Sequence, residues 1–532
     1  MKRAVEERTA SVREKPFLVP RKPSGRGFRK KWLLGLLIVL ALIVTVPAVW
    51  LARDWPFSRK NVLQDLANAT STRVEVRTFH NTYFPHPGCI AEGVTFARNR
   101  NPAAPPLITM QRLTVVGSFL GLLTRRVPLM RADNMKVFVL PLGTGETWPQ
   151  NKSESSVVIS KFIADGATLD FLQREPAKKP FTFAIHQFLI QDLGSRTAMH
   201  FKITLSNPKP PGEISASGTL GPWRHDSPAS TPVSGTYAFQ RADLGFFHGV
   251  GGILSSDGKV SGTLKEMQVQ GTTITPDFEV TRSHHPFRLA TNFRALVSGT
   301  NGDVLLQSVN ARFWNTNLGA QGRVAGITGQ KGKTAVLEFA ARQGRIQDIL
   351  FMFIREPRSP LTGLVTFKAT TTVPPDEGPF LRKVRLEGDF GIDDARFTSP
   401  HTQDTVEKLS ERARGEKENE HDKVEPERVL SGLKGHVVLK NGTAYFSNLS
   451  FDVPGATAQM HGTFDLISER INLQGTLQLQ AKLSEATSGV KSFLIKALDP
   501  FLKNNRRGVP LPVSITGTYQ HPIYRVASSP KK

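Results

Sequence analysis

The chain has 532 residues, and its composition restricts the classes of protein to which it can belong. Its 33 Phe, 44 Gly and 36 Pro are typical of a folded, turn-rich protein rather than a disordered one. The single cysteine, Cys89, excludes an intrachain disulfide framework and a thiolate-cluster metal site.

The formal net charge of +24 raises the question of a nucleic-acid partner. The first 31 residues carry eleven Lys or Arg against three Glu, and the remaining excess is scattered without a basic stripe interleaved with aromatics. We therefore expect no nucleic-acid partner. The basic leader 1–31 is interpreted as a solvated cytoplasmic segment, and attraction to anionic lipid headgroups is the second interpretation.

Residues 32–52 form an uncharged stretch of 21 positions, "WLLGLLIVLALIVTVPAVWLA". About 20 apolar residues cross a bilayer as a helix, so this stretch predicts a transmembrane anchor. Amphipathic aromatics favour the membrane interface, and a Trp lies near each end of the stretch. The residues expected to carry the span are Trp32, Leu33, Leu37, Leu40, Ile43, Val46 and Trp50.

The orientation of this anchor follows from the basic residues beside it. Lys30 and Lys31 precede the stretch, and segments rich in Lys and Arg stay cytoplasmic. The sequence thus predicts a single pass with residues 53–532 on the far side of the membrane. A cleaved signal peptide is the alternative, although its apolar core is usually about 7–15 residues and "AVWLA" is a poor cleavage site. A buried core helix would normally have a polar face.

The rest of the chain is dominated by strand-like alternation. Stretches 58–70 and 117–126 have the apolar spacing of short helices, within a predicted N-terminal cap at 53–140. Through 141–400, apolar and polar residues alternate, as in "MHFKITL" at 199–205. A period of two places one set of side chains on one face of a sheet. We predict a mainly β fold, in which an elongated, curled antiparallel sheet forms a groove and carries a few short helices.

Two further features predict how the strands bend and turn. Gly recurs inside them, usually before Thr, as at Gly475, and such a glycine allows a sharp bend or bulge. The dipeptides Asn441-Gly442, Asn301-Gly302 and Asp257-Gly258 are typical of hairpin turns.

The most regular alternation lies in the predicted C-terminal β region, residues 430–532. Residues 456–466 and 471–483 alternate throughout, and the connection "ISER" between them predicts a hairpin. We expect the apolar face of this hairpin to line the groove. The residues assigned to that face are Met460, Phe464, Leu466, Ile471, Leu473, Leu477, Leu479 and Leu483.

Two segments depart from the strand pattern. Residues 401–429 hold nine acidic and six basic residues and no aromatic, so they cannot bury a core. They are predicted to be a charged surface insert, and a docking site for another envelope protein is the alternative. Residues 489–504 predict an amphipathic helix that either caps the sheet core or contacts a lipid surface. Its apolar stripe comprises Val490, Phe493, Leu494, Ala497, Leu498 and Phe501.

No catalytic motif emerges from the sequence. There is no H-E-x-x-H, no G-x-S-x-G and no phosphate-binding loop, and the thirteen His are spread out. The adjacent His284 and His285 would point to opposite faces of a strand and could not share a metal ion. We therefore expect no enzyme, no metal site and no cofactor.

The run at 435–522 resembles the C-terminal region of the AsmA-like family. The cues are "GTAYFSNLSFDVPG", then "GTFDL", then "LPVSITGTYQHP". The N-terminal part is similar in having one anchor, a short helix, "FPHPG" and the strand pair "RVPLMRADNMKVFV". The resemblance covers 32–526 in outline. The basic leader and the insert at 401–429 depart from the family pattern.

The resemblance implies a location and a role. Members of the family are anchored in the inner membrane of bacteria with two membranes, and they hold a curled β-sheet groove in the periplasm. They are implicated in outer-membrane biogenesis, and the larger ones resemble bridge-like lipid transporters. For this chain the resemblance implies phospholipid as the ligand, with the inner membrane and other envelope proteins as partners.

Three hypotheses of function remain open at this point. The chain could shield or carry lipid in its groove, act as an envelope scaffold or assembly regulator that binds no lipid, or modify lipid as an enzyme. Alternation alone fits an open groove and a filled β core equally, because both place apolar side chains on one face.

Overall fold

The computed structural model describes part of the chain between residues 55 and 526. The described ranges are 55–70, 72–98, 105–139, 157–172, 180–194, 197–224, 227–281, 283–299, 301–327, 332–375, 378–398, 431–453, 456–479, 510–518 and 521–526. The chain divides into two compact units, residues 1–62 and residues 63–532.

The described residues contain only short helices. Four are α-helices, Arg59–Thr70, Phe119–Thr124, Ile346–Phe351 and Phe380–Lys383, and two are single 3₁₀ turns, Pro228–Ser230 and Leu244–Phe246. None of these is both long and apolar enough to cross a bilayer. The predicted anchor at 32–52 lies outside the described residues.

The two helices predicted near the N-terminus are present, and each begins at a serine cap. The hydroxyl of Ser58 accepts the backbone N–H of Asn61 at 3.4 Å, before helix Arg59–Thr70. The hydroxyl of Ser118 accepts the N–H of Gly121 at 3.0 Å, before helix Phe119–Thr124. These bonds satisfy N–H groups that a helix start leaves without a partner.

Strands make up most of the described chain. In order they are β1 Arg73–Glu75, β2 Thr78–Thr82, β3 Gly88–Ala97, β4 Ile108–Val116, β5 Arg126–Val127, β6 Leu129–Asp133, β7 Lys136–Val139, β8 Val158–Phe171, β9 Phe181–Leu193, β10 Met199–Pro208, β11 Pro211–Leu220, β12 Pro232–Asp243, β13 Val250–Gly251, β14 Ile253–Thr263, β15 Met267–Val280, β16 Phe287–Val297, β17 Val304–Phe313, β18 Thr316–Gly326, β19 Lys333–Arg345, β20 Leu361–Val373, β21 Arg385–Phe397, β22 Ser431–Lys440, β23 Thr443–Val453, β24 Ala456–Asp465, β25 Arg470–Leu479, β26 Pro510–Thr518 and β27 Pro522–Val526.

The strands follow one another in a long meander. From β8 to β27 each strand pairs antiparallel with its successor, except that the short β13 pairs with β15 and leaves β12 beside β14. At the other end, β1 and β2 pair with β3, which pairs with β4. Between β4 and β8 lies the interrupted strand β5–β7, which runs parallel to β8. At about 4.8 Å per strand, the pairing continues for roughly 100 Å along the ladder.

The sheet curls, and bulges supply part of the curl. The pairing skips residues between β12 and β14, between β19 and β20, and between β23 and β24. Each skip contains a residue in the left-handed conformation: Arg241 with φ 54°, Gln343 with φ 54° and Asn448 with φ 52°. Bulges of this kind bend a strand and increase its twist. The predicted mainly β fold with a large, curled antiparallel sheet and few helices is confirmed.

Two of the three predicted hairpin turns are confirmed and the third is wrong. Asn301 and Gly302 lie in the connection between the antiparallel strands β16 and β17, with φ 69° at Gly302. Asn441 and Gly442 join β22 to β23 with φ values of 54° and 80°. Asp257 and Gly258 instead lie in the middle of β14. A Cβ at Gly258 would lie 2.6 Å from the ring of Tyr237 on the neighbouring strand, so this glycine makes room for a side chain rather than for a turn.

The mid-strand glycines mark places where neighbouring strands approach closely. A Cβ at Gly475 in β25 would collide with the carbonyl oxygen of Gln459 in β24. A Cβ at Gly391 in β21 would have its nearest neighbour 4.0 Å away, at the carbonyl oxygen of Leu433. The two glycines therefore differ in how much space surrounds them.

We expect Gly475→Ala to lower the free energy of unfolding by about 1–3 kcal/mol, because the added methyl group forces β24 and β25 apart. Gly391→Ala is the matched control and should change it by less. Urea denaturation of both variants measures the difference, and equal effects would contradict the close approach at Gly475.

Candidate functional site

One face of the sheet is apolar along the whole ladder. Residues directly opposite each other on paired strands point to the same face, so the register defines a continuous line of side chains across the strands. We call this line the inner row. Its members are Ala91, Leu113, Ala132, Ala164, Phe188, Ile203, Ala216, Tyr237, Gly258, Gly271, Phe293, Val309, Ala320, Phe339, Ala369, Gly388, Val437, Phe446, Gly462, Leu473 and Ile515.

The neighbouring line, one residue further along the strands, belongs to the opposite face and is mostly polar. We call it the outer row. Its members are Glu92, Arg112, Asp133, Asp165, Gln187, Thr204, Ser215, Ala238, Asp257, Thr272, Asn292, Asn310, Gly319, Ala340, Lys368, Asp389 and His436. Every member of the inner row is apolar, Gly or Tyr, so the two faces have different chemistry from β3 to β22, where both rows are defined.

Between β17 and β27 the inner face encloses a trough of about 1160 Å³. This volume exceeds the roughly 300–1,000 Å³ typical of small-molecule pockets. The walls are almost entirely apolar, and the polar residues among them are Glu356, Arg358, Thr371, Thr398 and Asp389, whose carboxylate lies on the outer face. The inner-row residues that line the trough are Phe339, Ala369, Gly388, Val437, Phe446, Leu473 and Ile515.

A short helix covers one rim of the trough. Helix Ile346–Phe351 follows β19, and its residues Ile349 and Leu350 line the trough. Ile346 belongs to a buried cluster with Val365 and Ile392, on the strands beneath the helix. These contacts place one apolar face of the helix over the sheet.

A buried carboxylate fixes this helix to the sheet. Asp348 accepts hydrogen bonds from the hydroxyl of Thr316 at 2.8 Å and from the N–H of Asn315 at 3.0 Å. The same Thr316 hydroxyl oxygen accepts the N–H of Arg345 at 2.9 Å, immediately before the helix. Together the three bonds join the β17–β18 hairpin to the start of the helix.

A cluster of aromatic rings packs against Phe351, the last residue of this helix. The ring of Phe351 lies 4.7 Å from that of His285 and 6.0 Å from that of Trp314. Trp314 in turn lies 4.3 Å from Phe287, which is 4 % exposed. Nδ1 of His285 is 3.1 Å from the carbonyl oxygen of Phe351. The packed rings therefore connect the end of the helix to the start of β16 and the end of β17.

One polar group inside the trough has no partner. Thr371 on β20 is 5 % exposed, lines the trough, and its hydroxyl makes no hydrogen bond to the described residues. A buried hydroxyl without a partner costs about 1–3 kcal/mol. A ligand that carried a hydrogen-bonding group beside its apolar part would recover that cost at this position.

The structure brings some of the predicted groove residues to the trough. Met460, Ile471 and Leu473 line it. Phe464 pairs with Ile471 across β24 and β25, and Leu477 pairs with Ala458, so both lie on the same face as the trough lining.

The remaining predicted positions differ from one another. Leu466 is in the turn after β24 rather than in a strand, where its N–H bonds to the carbonyl oxygen of Gly442. Leu479 is the last described residue of β25, opposite Ala456, and its side chain shares the face of Leu473 and Leu477. Leu483, the insert at 401–429, the helix at 489–504 and the anchor at 32–52 lie outside the described residues.

Sequence reasoning missed the helix that covers the trough, although a signal for it existed. Ile346, Ile349, Leu350 and Phe353 have the i, i+3, i+4, i+7 spacing of an apolar helix face. All four line the trough.

The described residues include a histidine between two carboxylates and one buried thiol. Within them, no three His, Cys, Asp or Glu residues lie close enough to hold a metal ion. On the outer face, Nδ1 of His436 is 2.8 Å from Asp389 and Nε2 is 3.7 Å from Glu387, so each ring nitrogen faces a carboxylate. The Cys89 thiol is buried, which raises its pKa to about 12 and keeps it protonated at neutral pH.

In comparisons with known proteins, no family model, no curated protein and no solved structure matches this chain.

We expect Asp348→Ala to loosen the cover of the trough. Removing the carboxylate leaves the buried Thr316 hydroxyl and the Asn315 N–H without an acceptor, at a cost of about 1–3 kcal/mol. Hydrogen exchange of helix Ile346–Phe351 should become faster. In Asp348→Asn an acceptor oxygen remains, so protection should fall less. Unchanged exchange in both variants would show that the carboxylate does not hold the helix.

Proposed function

We propose that this chain is an inner-membrane-anchored periplasmic protein of bacteria with two membranes, and that its trough shields or transports phospholipid between those membranes during outer-membrane biogenesis. The observation that carries the proposal is the difference between the two faces of the sheet, in which an inner row of apolar residues, Gly and one Tyr lies opposite a mostly polar outer row. The resemblance of residues 435–522 to the AsmA-like family supports the same function.

The chemistry of the trough suits an acyl chain better than a compact polar ligand. Each buried methylene is worth about 0.8 kcal/mol, so a chain of about fifteen carbons gains on the order of 12 kcal/mol in apolar surroundings. Because the inner-row residues that line the trough are apolar or Gly, an acyl chain displaced by one strand within the trough meets similar surroundings. The gain therefore opposes escape into water without fixing the lipid at one position.

The single unpartnered hydroxyl of Thr371 adds a polar contact to these apolar walls. An ester carbonyl, which every diacyl phospholipid carries next to its acyl chains, is an acceptor that this hydroxyl can bond. The trough thus offers both an apolar surface and, at Thr371, a buried hydroxyl that bonds to no described residue.

The location in the inner membrane rests on the sequence. The uncharged stretch 32–52, preceded by Lys30 and Lys31, supports a single anchor with the N-terminus in the cytoplasm. The chemistry of the described sheet is compatible with residues 53–532 working between two membranes, since an acyl chain there needs protection from water.

The proposal predicts that Leu473→Ser lowers lipid binding more than it lowers stability. In an open trough this side chain faces ligand, whereas in a filled core the same change would cost roughly 2–5 kcal/mol. We expect the melting temperature to shift by a few degrees at most and the phospholipid that copurifies with the full chain to fall clearly, as quantified by mass spectrometry.

The matched control is Gln474→Ser, which changes the next residue, on the exposed polar face. Both variants retain residues 32–52, so lipid held around an anchor contributes equally to each. If Leu473→Ser unfolds the protein while the lipid content of folded chains stays constant, the face is a filled core. If the chain carries no lipid beyond the amount common to all variants, an envelope scaffold or assembly regulator replaces the lipid function.

A further inference from the structure

The most exposed large apolar side chains lie at the N-terminal end of the ladder, away from the trough. Within the described residues, Phe84 is 87 % exposed, Leu120 73 %, Tyr83 59 % and Phe119 53 %, and these are the four highest values for such side chains. None of the four lines the trough. We call them the apolar patch.

The four residues belong to two neighbouring connections. Tyr83 and Phe84 are in the loop between β2 and β3, and Phe119 and Leu120 begin the short helix after β4. β3 starts where β4 ends, with Gly88 opposite Val116. The N–H of Gly117 then bonds to the carbonyl oxygen of Pro87 at 2.6 Å. The loop and the helix therefore leave the sheet side by side.

The two connections themselves carry basic but no acidic residues. Residues 76–91 and 113–132, which contain both connections, include no Asp or Glu. Arg125 and Arg126 follow the helix and are exposed, and Arg125 interacts electrostatically with Asp65 of helix Arg59–Thr70. Arg126 has one carboxylate near it, that of Asp192 at 3.9 Å, and both side chains of this pair are about half exposed, so the contact is weak.

We infer that the apolar patch rests on a membrane surface. Its side chains would enter the boundary between headgroups and acyl chains, and Arg125 and Arg126 would meet anionic headgroups. Aromatic and Leu side chains flanked by basic residues are the composition of interfacial membrane contacts. Each basic residue near an anionic surface adds about 1 kcal/mol of attraction.

Two arguments favour lipid over a protein partner. The patch offers on the order of 500 Å² of apolar side-chain surface, which is less than the roughly 800 Å² per partner of a stable protein interface. In addition, the loop at 83–87 belongs to the first hairpin after helix Arg59–Thr70, which follows closely in sequence on the apolar stretch 32–52.

The contact would place the first strands of the ladder at a bilayer, where an acyl chain could reach the inner row without crossing water. The inference itself stands on the exposure and charge of the patch, and it does not require that the trough binds lipid.

Spin-label accessibility tests the inference on the full chain in vesicles of phosphatidylethanolamine and phosphatidylglycerol. Phe84→Cys and Leu120→Cys place a single reactive thiol in the patch, because the native Cys89 is 1 % exposed and its pKa is about 12. Leu305→Cys on β17 is the matched control, since Leu305 is also an exposed apolar residue, at 48 %.

We expect labels at 84 and 120 to collide several-fold more often with dissolved oxygen than with a water-soluble nickel chelate, because oxygen partitions into the bilayer. The label at 305 should show the reverse order. Free access of the nickel chelate to both patch positions would overturn the inference. Protection from both reagents would also overturn it, because it would show that protein covers the patch. Either outcome leaves the copurification test of the trough unaffected.

Discussion

The fold depends on a single constraint, which is that one face of a very long sheet must be kept from water. A flat sheet with a bare apolar face would expose a surface far larger than soluble proteins tolerate. Curling turns the inner row towards itself and leaves the outer row in solvent. The bulges at Arg241, Gln343 and Asn448 and the close strand contact at Gly475 are the local means of that curl. Where the curled face is too wide for its own side chains to fill the space inside, that space forms the trough.

The short helix shows how part of the trough is covered. Helix Ile346–Phe351 covers apolar surface with apolar side chains, and Asp348 secures it through the β17–β18 hairpin. Thr371 differs from Asp348, because its buried hydroxyl makes no hydrogen bond to the described residues and lies among mostly apolar walls. Such a group lowers the stability of the empty protein and is retained most simply if a ligand satisfies it.

The sequence predicted which face is apolar but not where that face opens into a trough. Period-two alternation places Met460, Ile471 and Leu473 correctly, because the side-chain direction in a strand depends only on parity. The larger share of the lining, on β17 to β22, depends on the curvature accumulated over many strands. That curvature comes partly from left-handed residues such as Gln343, which no local pattern distinguishes. Helix Ile346–Phe351 is short, and its apolar spacing is easily lost between two strands.

The central claim, that the inner face holds acyl chains, is tested most directly by placing a photocrosslinking amino acid at two adjacent positions of β19. Phe339 lies in the inner row and lines the trough, and Ala340 lies in the outer row and is exposed. After illumination of cells that make the full chain, the account predicts phospholipid adducts at 339 and none above background at 340. Equal adducts at both positions, or none at either, would contradict it.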